Sequence, residues 1–137
     1  MTDSGKVAYS RMEAGFEFPP STIRLDAAAV ALYVEAVEET SSLYQDRVLV
    51  PPSAVAAYAQ AALAEKIDLL PGTIHVSLEA EFLAEVNVGG TITCHARVNR
   101  KQERGKIRLL SIDLEVLDGA AVPVMKGKTS FMLPEAG

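Results

Sequence analysis

The sequence predicts an α+β domain in which one curved antiparallel sheet is laid around a buried helix. Three observations carry that reading. Ala54 to Leu63 is an apolar, alanine-rich segment opened by Pro51-Pro52; the character switches after Leu70-Pro71-Gly72 to alternating, β-branched sequence; and glycine-bearing turns then punctuate the chain.

Taken in order, the first dozen residues are small and polar without a sustained period, so a flexible segment over residues 1–15 is expected. Phe16 and Phe18 followed by Pro19-Pro20 suggest a short edge strand that ends in a turn. From Asp26, Ala27, Val30, Ala31, Val34 and Val37 recur at helical spacing, with Asp26 placed as a cap and a stop near Thr40-Ser41-Ser42. Pro51-Pro52 is a second start signal, and Ser53 is the expected N-cap of the next helix. That helix is apolar on nearly every side, the pattern of a fully buried one. Ile74 to Phe82 then alternates as a strand. Gly89-Gly90 predicts a hairpin into Thr91 to Asn99, Arg104-Gly105 a second into Lys106 to Leu117, and Asp118-Gly119 a third into Val122 to Leu133.

A chain of 137 residues, 49% hydrophobic and 23% charged, is sized for one core, and a single domain over residues 16–134 is expected. A net charge of -5 argues against nucleic-acid or anionic-membrane partners. The basic residues Arg97, Arg100, Lys101, Arg104, Lys106 and Arg108 read as a solvated hairpin, although a phosphate of CoA or of a carrier protein would suit them. The one cysteine, Cys94, cannot make an intrachain disulfide and reads as a buried strand residue. With no apolar secretory stretch after Met1 and no spanning run, a cytoplasmic location is expected. His95 has no Cys or Asp at ligand spacing, so no metal site is expected, and nothing calls for a cofactor.

Tyr33-Val34-Glu35-Ala36-Val37, Leu43-Tyr44 and Val50-Pro51-Pro52-Ser53 form an ordered set with His75 to Phe82, Val86-Asn87-Val88-Gly89-Gly90-Thr91-Ile92, Asp118 to Val122 and Phe131-Met132-Leu133-Pro134. That set resembles the MaoC-like, R-specific enoyl-thioester hydratases of the hot-dog fold, and most closely their non-catalytic N-terminal-type domain. The resemblance implies hydration of a trans-2-enoyl group on CoA or acyl carrier protein, or the reverse dehydration. It also implies a dimer, with itself or with another hot-dog subunit, in which the two sheets run on continuously.

Active members of that family carry an Asp and a His in a Gly-Asp-x-Asn-Pro-x-His loop, where a base takes a proton from water and an acid protonates the α-carbon. Laid on Glu38 to Tyr44, that loop puts Glu39 at the Asp position and Tyr44 at the His position. The usual pair is absent, since a phenol is a weak base at neutral pH. The resemblance places a carbonyl-binding donor pair at Ser53 and Ala54, where Ser53 also reads as an ordinary cap. Tyr58 and Gln60 suit either an acyl tunnel or plain packing. His75, beside Ser77 and Glu79, suits either a ligand contact or a half-buried strand position. A hot-dog thioesterase is the alternative activity, with Glu65 or Glu79 as the carboxylate that activates water.

Overall fold

In a computed structural model of the chain, residues 6–26, 28, 50–68 and 71–134 are described. The expected helix after Asp26 and the loop bearing Glu39 and Tyr44 lie outside the described residues.

The elements follow in the order β1 (Val7–Ala8), a single 3-10 turn at Tyr9–Arg11, β2 (Ser21–Arg24), α1 (Pro52–Ala64), β3 (Ile67–Asp68), β4 (Ile74–Phe82), β5 (Thr91–Arg104), β6 (Ile107–Asp118) and β7 (Pro123–Leu133). Five strands form one sheet in the order β2-β5-β6-β7-β4, every neighbouring pair antiparallel. β1 and β3 make a small parallel pair of their own. This is the α+β hot-dog architecture.

Strand alternation gives the sheet a buried face and a charged one. Ile92, Cys94, Val98, Leu110, Ile112, Leu114, Val116, Met125, Thr129 and Phe131 are buried. The opposite face carries His95 against Glu115 and Lys126 in one row, and Arg97 against Asp113 and Lys128 in the next. Against the buried face lie Ala59, Ala62 and Leu63 of α1, which share with Cys94, Ala96 and Leu114 a void of only about 10 Å³. Alanines permit that approach because they bring no bulk between backbone and sheet. Gly127 meets the same demand on the other side: a Cβ there would stand 2.6 Å from the Glu79 carbonyl oxygen of β4.

Four expectations are corrected. The N-terminal segment is packed from Val7 onward, with Tyr9 buried and Met12 wholly so, because small polar residues between these side chains mask a core contribution carried by three positions. The edge strand follows Pro19-Pro20 instead of preceding it; Phe16 and Phe18 only run along β5, through one isolated bridge at Glu17. Gly89-Gly90 reverses the chain without making a hairpin, since β4 pairs with β7, and residues 83–90 carry the chain to the far side of the sheet. Turn chemistry reports a reversal, and pairing is decided by the sheet as a whole. Finally, α1 buries one face only: Ala54, Val55, Ala56, Ala59, Ala62 and Leu63 are covered, while Ser53, Ala57, Ala61 and Ala64 are exposed.

The other turns hold. Gly105, at φ +58°, joins β5 to β6. The Asp118 carboxylate accepts the N–H groups of Ala120 and Val122 at 2.8 and 2.9 Å and so closes the loop into β7. Among the described residues, no helix is long and apolar enough to cross a membrane.

Candidate functional site

The start of α1 was read as a pair of carbonyl-binding donors, and its geometry divides them. Pro51 is the N-cap and Pro52 the first helical residue, so Ser53 sits inside the first turn, past the capping position. Proline suits that position because it has no N–H to satisfy and its φ is already helical. The Ala54 N–H donates to the Pro51 carbonyl at 2.9 Å, so it is engaged within the turn, and the Ala54 side chain is fully buried.

Tyr58 and Gln60 do not share a channel. Two positions apart on a helix they point roughly 200° apart. Tyr58 lines a shallow groove with Ser21, Thr22, Ile23 and Glu65, whereas Gln60 buries its Oε1 without a hydrogen-bond partner.

His75 is exposed, not half-buried, and its surroundings are specific. It pairs with Phe131, and the next pair in the ladder is Ser77 with Ser130, which leaves Val76 unpaired as a bulge. Counted back from Phe82, Ala80 and Leu78, strict alternation would aim His75 to the charged face. The extra residue turns it to the buried face instead. There its Nε2 lies 2.8 Å from the hydroxyl of fully buried Thr129, and its ring is 5.1 Å from that of Phe131. The Thr129 hydroxyl in turn donates to the Ser77 carbonyl at 3.4 Å.

A depression of about 500 Å³ opens on the charged face, lined by Glu17, His95, Arg97, Asp113, Glu115 and Lys126. Its acids and bases alternate, so it offers no single charge to a ligand. Burial pushes the Cys94 thiol up to about 11, away from the thiolate form. Among the described residues no group of three or more His, Cys, Asp or Glu side chains gathers as metal ligands.

The family model for the FAS1-like dehydratase domain region matches residues 13–127 of the chain. The chain belongs to that family. The fold of this dehydratase-family chain is similar to that of the R-hydratase PhaJ1 from Pseudomonas aeruginosa, at 19% identity and a TM-score of 0.80 over 93% of this chain and 86% of that one. It is also similar to a MaoC-like dehydratase from Rhodospirillum rubrum, at 13% identity and a TM-score of 0.76 over 94% and 97% of the two chains. A third likeness is to the HadBC 3R-hydroxyacyl-ACP dehydratase complex from Mycobacterium tuberculosis, at 16% identity and a TM-score of 0.67 over 87% and 96%. None of the curated proteins matches the chain. These findings give a FAS1-like dehydratase-family chain whose hot-dog fold is shared with MaoC-like dehydratases and R-hydratases.

Within this dehydratase-family fold, the sequence points to His75 but not to Thr129. A lone threonine in Lys128-Thr129-Ser130 carries no signal of its own; only the register that sets it opposite Leu78, one step beyond the bulge, reveals it. Two of the six clustered cations are also structural: Lys101 Nζ and Arg108 Cζ lie 4.3 and 4.6 Å from the centroid of the Tyr9 ring.

Proposed function

We propose that this chain is one half of a paired MaoC-like assembly that binds an enoyl or 3-hydroxyacyl thioester of CoA or acyl carrier protein and takes part in its hydration or dehydration in the cytoplasm. The observation that carries the reading is the open edge of the sheet. β4 has no neighbour on its outer side among the described residues and exposes Ile74, Val76, Leu78 and Phe82, whose relative accessibilities run from 38% to 57%. An uncovered nine-residue apolar edge is an aggregation hazard unless another strand completes it. A second hot-dog unit, identical or homologous, fits it by continuing the sheet.

Family membership supports the chemistry, and the named HadBC complex supports pairing of unlike subunits. The usual Asp and His have given way to Glu39 and Tyr44, so the chain shapes the thioester site while acid–base groups come from elsewhere in the assembly. Ser53 and Ala54 would lie beside the thioester carbonyl, Tyr58 along the acyl chain, and His75 would approach the ligand from β4.

The test is turnover of crotonyl-CoA and hydrolysis of acyl-CoA by the purified chain, alone and with any hot-dog subunit that co-purifies, with Glu39→Gln as control. Hydration by the assembly that survives Glu39→Gln supports the reading. Hydration by the chain alone that is lost in Glu39→Gln overturns the supporting role, and hydrolysis in place of hydration would make the chain a thioesterase.

A further inference from the structure

We propose that the charged face of the sheet, the one turned away from α1, docks against the same face of a second copy of this chain. A twofold axis running along the strands between β6 and β7 relates the two copies. This surface is separate from the open edge of β4, and the proposal does not depend on the hydratase reading.

On the charged face the side chains stand in register across four strands. In the order β5, β6, β7, β4, one row reads His95, Glu115, Lys126, Glu81, and the next reads Arg97, Asp113, Lys128, Glu79. Each row is base, acid, base, acid. Opposite charges on neighbouring strands ordinarily settle against each other within the sheet. Here they do not: among the described residues none of these eight closes an ion pair, and Asp113 accepts one hydrogen bond, from Asn99 at 3.1 Å.

An alternating row of four changes sign when it is reversed, and that property selects the partner. Turned over about an axis along the strands, between β6 and β7, the face lays β5 on the partner's β4 and β6 on the partner's β7. Arg97 then meets the partner's Glu79, Asp113 meets the partner's Lys128, and both contacts occur twice by symmetry. The neighbouring row matches in the same way, His95 to Glu81 and Glu115 to Lys126. Turned over about an axis across the strands, the two rows exchange and every group meets its own sign. A second copy therefore fits in one orientation and is repelled in the other, which is what a closed, isologous pair requires.

Shape and the next rows agree with that orientation. Lys126 lines both the depression of about 500 Å³ over Asp113 and Glu115 and another of about 420 Å³ over Glu79 and Glu81, so β7 stands as a ridge between two hollows. In the pair, each copy's lysine ridge descends over the other's Asp113 and Glu115. Further along, Ser111 meets the partner's Ser130 and Leu109 the partner's Met132, so polar falls on polar and apolar on apolar. Strands about 4.8 Å apart and rows about 6.7 Å apart make the face roughly 20 Å square. Such a patch is small for a stable interface, so the association is weak and governed by charge.

The experiment is sedimentation of the full chain against concentration and salt. Wild type should show an association step that weakens steeply between about 10 mM and 1 M salt, as the screening length falls from about 30 Å to about 3 Å. Asp113→Lys sets a cation against the partner's Lys128, and Lys128→Glu sets an anion against the partner's Asp113. Each variant alone should lose that step by about 10-fold or more in dissociation constant. Mixed, the two variants should regain it to within about threefold, because the new cation of one chain meets the new anion of the other. No contact inside a single chain can produce recovery on mixing, and pairing through the β4 edge is equal in both variants and in the mixture. Glu115→Lys and Lys126→Glu, one row along, repeat the test if a member of the first pair fails to fold. A wild type whose mass does not respond to salt, single variants that associate as wild type does, or a mixture that behaves as its separate components each overturns the proposal.

Discussion

The two edges of the sheet are finished in opposite ways. On one side β2 is a four-residue strand introduced by Pro19-Pro20, and the rest of β5 is covered by the chain's own N-terminal segment. Gly15 donates to Val98 at 2.8 Å, Val98 to Phe16 at 2.8 Å and Phe18 to Ala96 at 2.9 Å, while Lys101 reaches back to the Tyr9 carbonyl at 2.9 Å. On the other side β4 runs for nine residues with an apolar row in the open. Among the described residues one edge is closed by the chain's own backbone and the other is bare, and the bare one is where the proposed partner would add its strand. His75 stands on that open side.

The largest effect should come from breaking the open edge. Leu78→Asp places a charge in the proposed junction and should raise the dimer dissociation constant about 100-fold or more, read by sedimentation against concentration. A wild-type chain that is monomeric at high concentration would remove the contrast altogether. Met12→Ala attacks the closed edge, and truncation of a fully buried methionine should cost about 2 to 4 kcal/mol in denaturant unfolding without altering the dimer. Gly127→Ala tests how β4 is held to the body of the sheet. Because the new methyl would press on the Glu79 carbonyl oxygen at 2.6 Å, about 1 to 3 kcal/mol should be lost, with β4 amides exchanging fastest.

Alkaline pH should discriminate the edges more gently. Cys94, paired with Ser21 of β2, is raised from 9.0 to about 11 by burial, and Tyr9 is raised above 10.0 by burial and then by the charge of Glu103. Both groups hold their protons more tightly when folded. Stability is therefore whole below about pH 9 and falls as pH climbs from 9 toward 11, with the loss concentrated at the closed edge in hydrogen exchange. Smallest of all, Glu13→Gln removes only the ion pair to Lys101 at 2.8 Å; with Glu13 73% exposed, water screens the pair and about 0.5 kcal/mol is expected.

The strands β4, β6 and β7 were legible in the sequence because alternation and glycine turns are local signals. So was the alanine-rich helix. What local signals could not convey was which strands become neighbours: Gly89-Gly90 looks like a hairpin by every nearby residue, yet β4 docks on β7 across the full register from Ile74–Met132 to Phe82–Met125. The depth of Val7 and Tyr9 was illegible for the same reason, since Val7 pairs with Ile67 and Tyr9 is met by Lys101, 92 residues further along the chain. At the site, His75 was visible as a residue type, but its direction depended on a bulge that no alternation pattern announces. Ser53 was misread as a cap because proline had already taken the turn. Glu39 and Tyr44 lie outside the described residues, so their placement at the site belongs to the proposal.

Tyr9, held between Lys101 and Arg108, has a consequence for how the protein is made. Arg108 also grips the Pro134 carbonyl at 3.0 and 2.6 Å through its guanidinium, so residues near both ends of the chain converge on one side chain of β6. The segment around Tyr9 therefore settles fully only once β5 and β6 are both in place, because Lys101 and Arg108 hold its ring from the two strands. Until then the flank of β5 that this segment covers stands open to solvent.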